Sequence, residues 1–358
     1  MHLREHLYNL ATDKTQGLPS ALIKFPLYLL SLVYGLLVLI LSSWNGLRKI
    51  RLGCKVISVG NITVGGTGKT VMVERIAGYL QENGHKVAVL SRGYKRPGSK
   101  AIKSAPGYET MGDEPFMISQ KFPDVLVLVD PDRVRSARSA IAVHGVDTVI
   151  LDDGFQQWKV KKDLEIVMLD GKNPFGNRRL LPRGILRQPL FTLKNADVFV
   201  LTNTGKAQLS KTRELLLRMN SRAIVLEAEH SVNGLSRLSR KEERLSADYL
   251  TGQKVALFCG LGNSDSFRNL AGKLGLKEEL FFEFPDHYRY QEEDIEKIVN
   301  QSRQKGFIAL VTTEKDAVRI PLAARKRFGE NIFVLAVELK FKDEEQRFFD
   351  RLLNIYFV

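Results

Sequence analysis

Two short stretches of this chain carry residue types at the spacing phosphate chemistry requires. Val56 to Leu80 reads VISVGNITVGGTGKTVMVERIAGYL, an apolar strand, a glycine-rich turn and an amphipathic helix. Backbone N–H groups of such a turn and of the helix start cradle a polyphosphate, a lysine adds a point charge and a hydroxyl reaches a divalent cation. Thr63, Val64, Gly65, Gly66, Thr67, Gly68, Lys69 and Thr70 are therefore the expected nucleotide cradle, a P-loop for ATP with Thr70 on Mg²⁺. The strict pattern has glycine where Thr63 stands, and here the glycines crowd at Gly65 and Gly66. The second stretch, VDTVILDD, ends an apolar strand on Asp152 and Asp153 before Gly154. An acidic strand tip downstream of a P-loop is the usual metal-proximal arrangement. An Asp-Gly turn would need no metal, but a P-loop in the same unit favours the metal role for both residues.

Three further features are ambiguous on sequence alone. Asp113, in Met111-Gly112-Asp113-Glu114-Pro115, reads first as the N-cap of a helix, with a base that receives an alcohol proton beside ATP as the alternative. His287, in Phe284-Pro285-Asp286-His287-Tyr288, follows an apolar strand, where a lone histidine is either a surface residue or a group facing a cleft. Arginines recur in loops: Arg92 in SRGYKR, Arg133 in DPDRVR, and Arg178, Arg179, Arg183 and Arg187 in NPFGNRRLLPRGILRQP. Their forked donors suit phosphate, and Arg133 and Arg187 are the chosen candidates, with the rest a basic rim.

The elements that must hold these residues follow from periodicity. Short β-branched runs at 86–90, 125–129, 146–151 and 197–201 alternate with helical patterns, as in a doubly wound parallel sheet. The expected fold is α/β: a P-loop domain over 51–225, a polar linker over 226–254, and a smaller α/β domain over 255–358 with strands at 255–259, 281–284, 308–312 and 332–337. Residues 1–50 form a separate N-terminal segment. Its run 25–44, FPLYLLSLVYGLLVLILSSW, carries no charge, and about 20 such residues suffice for a bilayer helix. Lys24 borders one end and Arg48, Lys49, Arg51 and Lys55 crowd the other, which puts the basic side and the P-loop in the cytoplasm. A helix lying in the membrane interface or buried in a core has the same composition.

Over 358 residues, 54 Lys and Arg against 40 Asp and Glu leave +14, an excess that calls for an anionic partner. Cys54 and Cys259 supply neither a disulfide framework nor a zinc pattern. The arginine loops lack the interleaved aromatics that stack bases, so nucleic acid is not expected, and no obligate protein partner is inferred. No Asn-Lys-x-Asp sequence reads guanine. The alternative in another class is a membrane-associated regulatory or partitioning ATPase, whose P-loops usually carry an extra lysine where Val64 stands.

Taken together, the apolar N-terminal segment, SVGNITVGGTGKT, LSRGY, GDEP, LDDGFQ, NPFGN…LLPRGILRQP, FPDHY and TTEKDAVR, in this order, resemble the tetraacyldisaccharide 4′-kinase family. In the arginine loop, Arg179, Arg183, Ile185 and Gln188 depart from the less basic family pattern. The resemblance implies a two-domain P-loop kinase on the cytoplasmic face of the bacterial inner membrane. It would transfer the γ-phosphoryl group of ATP, with Mg²⁺, to the 4′-hydroxyl of a tetraacylated glucosamine disaccharide 1-phosphate at an anionic membrane surface, forming lipid IVA. It further implies that Asp113 and His287 are a catalytic dyad, that Asp152 and Asp153 lie at the metal with Lys69 and Thr70 at the nucleotide, and that Arg133 and Arg187 touch the reacting groups.

Overall fold

β1 (Lys55–Asn61) runs without a break into the glycine turn and then into helix α2 (Lys69–Glu82), whose N-cap is Gly68 at φ 82°. α1 (Leu18–Leu47) precedes them as a 30-residue helix with Pro26 inside it. The computed structural model describes residues 8–15, 17–93, 102–103, 108–204, 209–307 and 309–357. Residues 94–96 of SRGYKR and Ile308 of the expected strand 308–312 lie outside them.

Around β1 the sheet is parallel, as the apolar runs require. β2 (Val87–Ser91), β4 (Leu126–Val129), β5 (Thr148–Asp152), β6 (Leu164–Asp170) and β7 (Val198–Thr202) pair in the order β7-β6-β1-β5-β2-β4, with short β3 (Ile102–Lys103) antiparallel at the edge. Both faces are covered, so these strands read as apolar runs rather than alternations. Helices α3 (Asp113–Lys121) and α4 (Arg133–His144) belong to this half.

The stretch 226–254, expected as a polar linker, is built differently. It is mostly sheet: β8 (Ile224–Arg237) and its hairpin partner β9 (Arg240–Leu245). β8 pairs parallel with β7 through 224–227 and antiparallel with β13 (Ile332–Phe341) from Ala228 to Arg237, so one strand serves two sheet halves. Its polar residues alternate along a half-buried strand, and alternation with Glu, His and Asn looked like a linker. Beyond β13 lie β12 (Leu310–Thr313), β10 (Lys254–Cys259) and β11 (Lys277–Glu283), all parallel to it. The carboxyl end of β7 stands level with Glu227, and that of β13 level with Ala228, from the opposite direction. The carboxyl ends of the two parallel sets therefore face each other across β8 at Glu227 and Ala228, the position where open α/β sheets bind ligands.

The last helix, α5 (Glu345–Leu353), was expected with the C-terminal unit. Instead Phe348, Leu352 and Ile355 join the core beneath β1, β2 and α2. Arg351 bridges to Asp197 at 3.0 Å and the Tyr356 hydroxyl meets Thr148 at 2.7 Å. The amphipathic spacing 348, 352, 355 shows that the helix needs a core but not which one.

Candidate active site

The glycine turn is fixed before any ligand arrives. Asn61, the last residue of β1, donates from Nδ2 to the Thr63 carbonyl at 2.7 Å, and its Oδ1 accepts from Lys69 Nζ at 3.1 Å. Val64 N–H donates to the Ile185 carbonyl at 2.9 Å, tying the turn to the arginine loop. Gly65 at φ 117° and Gly68 at φ 82° take left-handed backbone that side chains avoid. A Cβ on Gly68 would also lie 2.9 Å from His230 Nε2, so β8 presses directly on the phosphate cradle. Burial pushes the His230 imidazole below its ordinary range, which keeps that contact neutral.

Asp152 ends β5 and Asp153 follows it, beside this turn and with unlike surroundings. Asp152 is buried, accepts from Ser91 Oγ at 3.1 Å and is pushed up to about 6, first by burial and then by the Glu114 carboxylate. Asp153 sits at φ 54° and accepts both Arg187 guanidinium nitrogens, at 2.8 and 2.9 Å, with Lys69 3.7 Å away. Burial opposes its ionisation, but the Arg187 bonds and the Lys69 charge outweigh that and hold its pKa low. A non-glycine residue in this backbone region carries some strain, and Asp is among the few side chains that tolerate it. Arg187 also donates to Asn61 Oδ1 at 3.2 Å, so Lys69, Asn61, Asp153 and Arg187 form one network.

Arg133 opens α4 fully buried, with Nη1 donating to the Asp130 carbonyl. Its Nε and Nη2 have no hydrogen-bond partner among the described residues. Burial lowers its pKa to about 10 while Asp152 pulls it back up. A buried guanidinium with two unpaired donors beside a phosphate cradle is poised for an anionic oxygen.

The opposite wall joins Asp113 of the P-loop half to residues of the C-terminal half. Asp113 is the first residue of α3 and Gly112 is its N-cap, so the capping role expected as one option does not describe this carboxylate. Its Oδ2 lies 2.8 Å from His287 Nδ1 and 3.1 Å from Arg319 Nε. An ionised carboxylate only accepts, which assigns the proton to His287 Nδ1. His287 stands at φ 63° in the turn after β11, with Nε2 3.8 Å from Asp286. The pairing of residues 113 and 287 expected from the resemblance is thus present as a direct contact.

Residues without an assigned role complete this wall. Arg319 is buried, donating to the carbonyls of Gly260 at 3.2 Å and Tyr288 at 3.3 Å and standing 3.4 Å from Asp316. Asp316, fully buried, accepts from Gly260 N–H and the Tyr290 hydroxyl, each at 2.8 Å, and from Thr313 Oγ1 at 2.5 Å. Lys315 pairs with Glu114, next to Asp113. Burial opposes ionisation of Glu114, yet Lys315, then Thr70 and Lys69, hold its carboxyl down to about 2. Lys121 of α3 bonds Glu74 of α2 at 2.7 Å and stands 3.5 Å from Glu314. All of Thr313, Glu314, Lys315, Asp316 and Arg319 come from TTEKDAVR. Four ionisable residues packed against the end of an apolar strand were the available signal.

Of the remaining loop arginines, Arg183 meets Asp13 at 2.6 Å and Arg179 lies 5.0 Å over the Tyr28 ring. Both face the N-terminal segment, away from the cradle.

For a divalent cation, Thr70 and Asp152 fit. Mg²⁺ keeps most of its shell as water and substrate phosphate and needs only one or two carboxylates. An aspartate whose charge is disfavoured by a second carboxylate is a donor that gains from such an ion. Asp153, with both oxygens on Arg187, fits the role less well than Asp152.

The family model described as Tetraacyldisaccharide-1-P 4′-kinase matches residues 23–356. The tetraacyldisaccharide 4′-kinase of Halothermothrix orenii is 36% identical, with 95% of each chain covered. That of Syntrophus aciditrophicus is 35% identical over 83% of each. Among solved structures, LpxK from Aquifex aeolicus in complex with ATP superposes with a TM-score of 0.74 at 28% identity, covering 93% of this chain and 99% of that one. With a family match across both walls of the cleft, this chain belongs to the tetraacyldisaccharide 4′-kinases.

Proposed function

We propose that the cleft transfers the γ-phosphoryl group of ATP to the 4′-hydroxyl of a tetraacylated glucosamine disaccharide 1-phosphate, with Asp113 as the base. The chain is a kinase by family, and the observation that carries the residue assignment is the 2.8 Å contact between Asp113 and His287 opposite the glycine turn. The turn amides and Lys69 hold the β- and γ-phosphates. The acceptor oxygen attacks the γ-phosphorus, its proton passes to Asp113 Oδ, the bond to the β–γ bridging oxygen breaks, and ADP leaves. His287 and Arg319 keep Asp113 oriented as a carboxylate until that proton arrives. Phosphoryl transfer asks mainly for positioning and charge neutralisation, so Arg133 and Arg187 serve the equatorial oxygens. Thr70 and Asp152 would hold Mg²⁺, which would supply further neutralisation of the phosphate charge.

The acceptor's four acyl chains keep it in a bilayer. Among the described residues one helix, Ser20–Leu47, is long and apolar enough to cross a membrane, and only 17% of its most apolar window is buried. Leu29, Leu32, Val33, Leu36, Leu37 and Ile40 are exposed along it. The apolar face, with the basic residues after it, supports association with an anionic membrane on the cytoplasmic side.

Asp113→Asn is the direct test. Turnover should fall at least ~100-fold with ATP affinity retained, the usual scale for a lost general base. Near-parental turnover of phosphorylated lipid would remove Asp113 from the mechanism. The same assay excludes a regulatory ATPase, because that activity would proceed without the lipid acceptor.

A further inference from the structure

The apolar helix does more in this structure than present leucines. One narrow stripe of it, Ser31, Tyr34, Gly35 and Val38, faces the protein at helical spacing. Ser31 Oγ donates to the Leu180 carbonyl at 2.8 Å and accepts from Arg183 N–H at 3.0 Å. A Cβ on Gly35 would lie 2.8 Å from the Leu180 side chain, so helix and loop are in close contact there. Tyr34, near the middle of the helix, donates its hydroxyl to the main-chain carbonyl of Arg187 at 3.0 Å.

That carbonyl belongs to a residue held on every side. The Arg187 N–H donates to the Ile62 carbonyl at 2.7 Å, just ahead of the glycine turn. Its guanidinium grips Asp153 with two bonds and Asn61 with a third. The arginine loop is therefore a plate with the phosphate cradle on one face and the lipid-seeking helix on the other.

We propose that Tyr34 is a positioning residue for phosphoryl transfer, seating Arg187 through its backbone so that the docked helix sets the geometry of the Arg187–Asp153 pair. A hydroxyl in the middle of a largely apolar helix has no partner in lipid, and here it bonds the backbone of a residue at the cradle. Displacement of a charge-neutralising group by about 1 Å costs up to ~100-fold in rate. The helix thereby anchors the enzyme and also completes its site. This inference rests on the role given above to Arg187.

The test is Tyr34→Phe in the full-length chain, which removes one hydroxyl and keeps the apolar surface. With detergent-dispersed acceptor at saturation, kcat should fall about tenfold while KM for ATP stays within about twofold, as expected for an interaction realised in the transition state. Binding to phosphatidylglycerol vesicles should match the parent, which a purely anchoring residue would not allow. In a double-mutant cycle with Arg187→Ala, the Tyr34→Phe loss should vanish. Ser31→Ala, which removes two other bonds between helix and loop, should lower kcat in the same direction at unchanged vesicle binding. Parental kcat in Tyr34→Phe, or an undiminished loss on top of Arg187→Ala, would overturn the proposal. Parental activity of Arg187→Ala itself would instead overturn the role of Arg187 beneath it.

Discussion

The two walls of the cleft solve the same electrostatic problem in opposite ways. The nucleotide wall uses contiguous backbone, residues 63–70, with part-exposed side chains: Lys69 and Arg187 share Asp153 and Asn61 within reach of solvent. The acceptor wall uses side chains drawn from 113, 287, 316 and 319, with Arg319 and Asp316 fully buried behind the carboxylate they support. A phosphate cradle can be mobile at its charges because its amides are fixed. A base cannot, since a proton must be met at one atom, and the buried salt link behind Asp113 supplies that rigidity.

If that contrast is right, stability and activity should separate between the walls. Arg319→Ala leaves Asp316 buried and short of its cation, a change that costs about 3–5 kcal/mol. Lys69→Ala removes a part-exposed charge and should cost under about 1 kcal/mol while turnover collapses. Urea unfolding of both variants beside the parent decides it. Equal and small losses would mean that the acceptor wall is no more rigid than the cradle. Arg319→Lys, which keeps the charge but not the fork, should fall between the two.

A narrower prediction concerns His287. Arg319 still holds Asp113 when the imidazole is gone, so His287→Ala should lower kcat about tenfold rather than the ~100-fold of Asp113→Asn. Because the imidazole acts through the carboxylate, the double variant should be no slower than Asp113→Asn alone. Losses that multiply in the double variant would give His287 a separate contact with the reactants.

How much of this was legible in the sequence follows the same division. The cradle is a run of consecutive residues whose chemistry is local, so Gly68, Lys69 and Thr70 could be assigned from the string, as could the strand tip at Asp152 and Asp153. The parallel strands were legible because burial on both faces writes them as apolar runs. The acceptor wall joins residues 174 apart for Asp113 and His287, and nothing local in either pointed to the other; only the order of motifs did. Arg319 went unassigned because its work, bonds to the carbonyls of Gly260 and Tyr288 and contacts with Asp316 and Asp113, leaves no periodic trace. β8 went unread because a strand that lies under a cleft carries Glu229 and His230 where a covered strand would carry valine. Tyr34 was hidden inside a hydropathy average.

The smallest predicted effect tests the difference between the two aspartates of the nucleotide wall itself. Asp152 is pushed up to about 6 by burial and by Glu114, whereas Asp153 is held low by Arg187. A carboxylate must be ionised to hold a cation, so a proton competes with Mg²⁺ at Asp152 near pH 6 and at Asp153 only at lower pH. With a group titrating near 6, the half-saturating Mg²⁺ concentration should rise about fourfold from pH 7.5 to pH 5.5. The sign extends to folding. A raised carboxylate pKa means the native state holds the proton more tightly than the unfolded chain, so cation-free enzyme loses stability as pH climbs from about 4 through about 6. Asp152→Asn should flatten both slopes, and Asp153→Asn should leave the pH dependence of Mg²⁺ in place while slowing transfer through the loss of its Arg187 partner. A pH dependence that follows Asp153 instead would exchange the roles of the two residues and make Arg187 mobile when the cation binds.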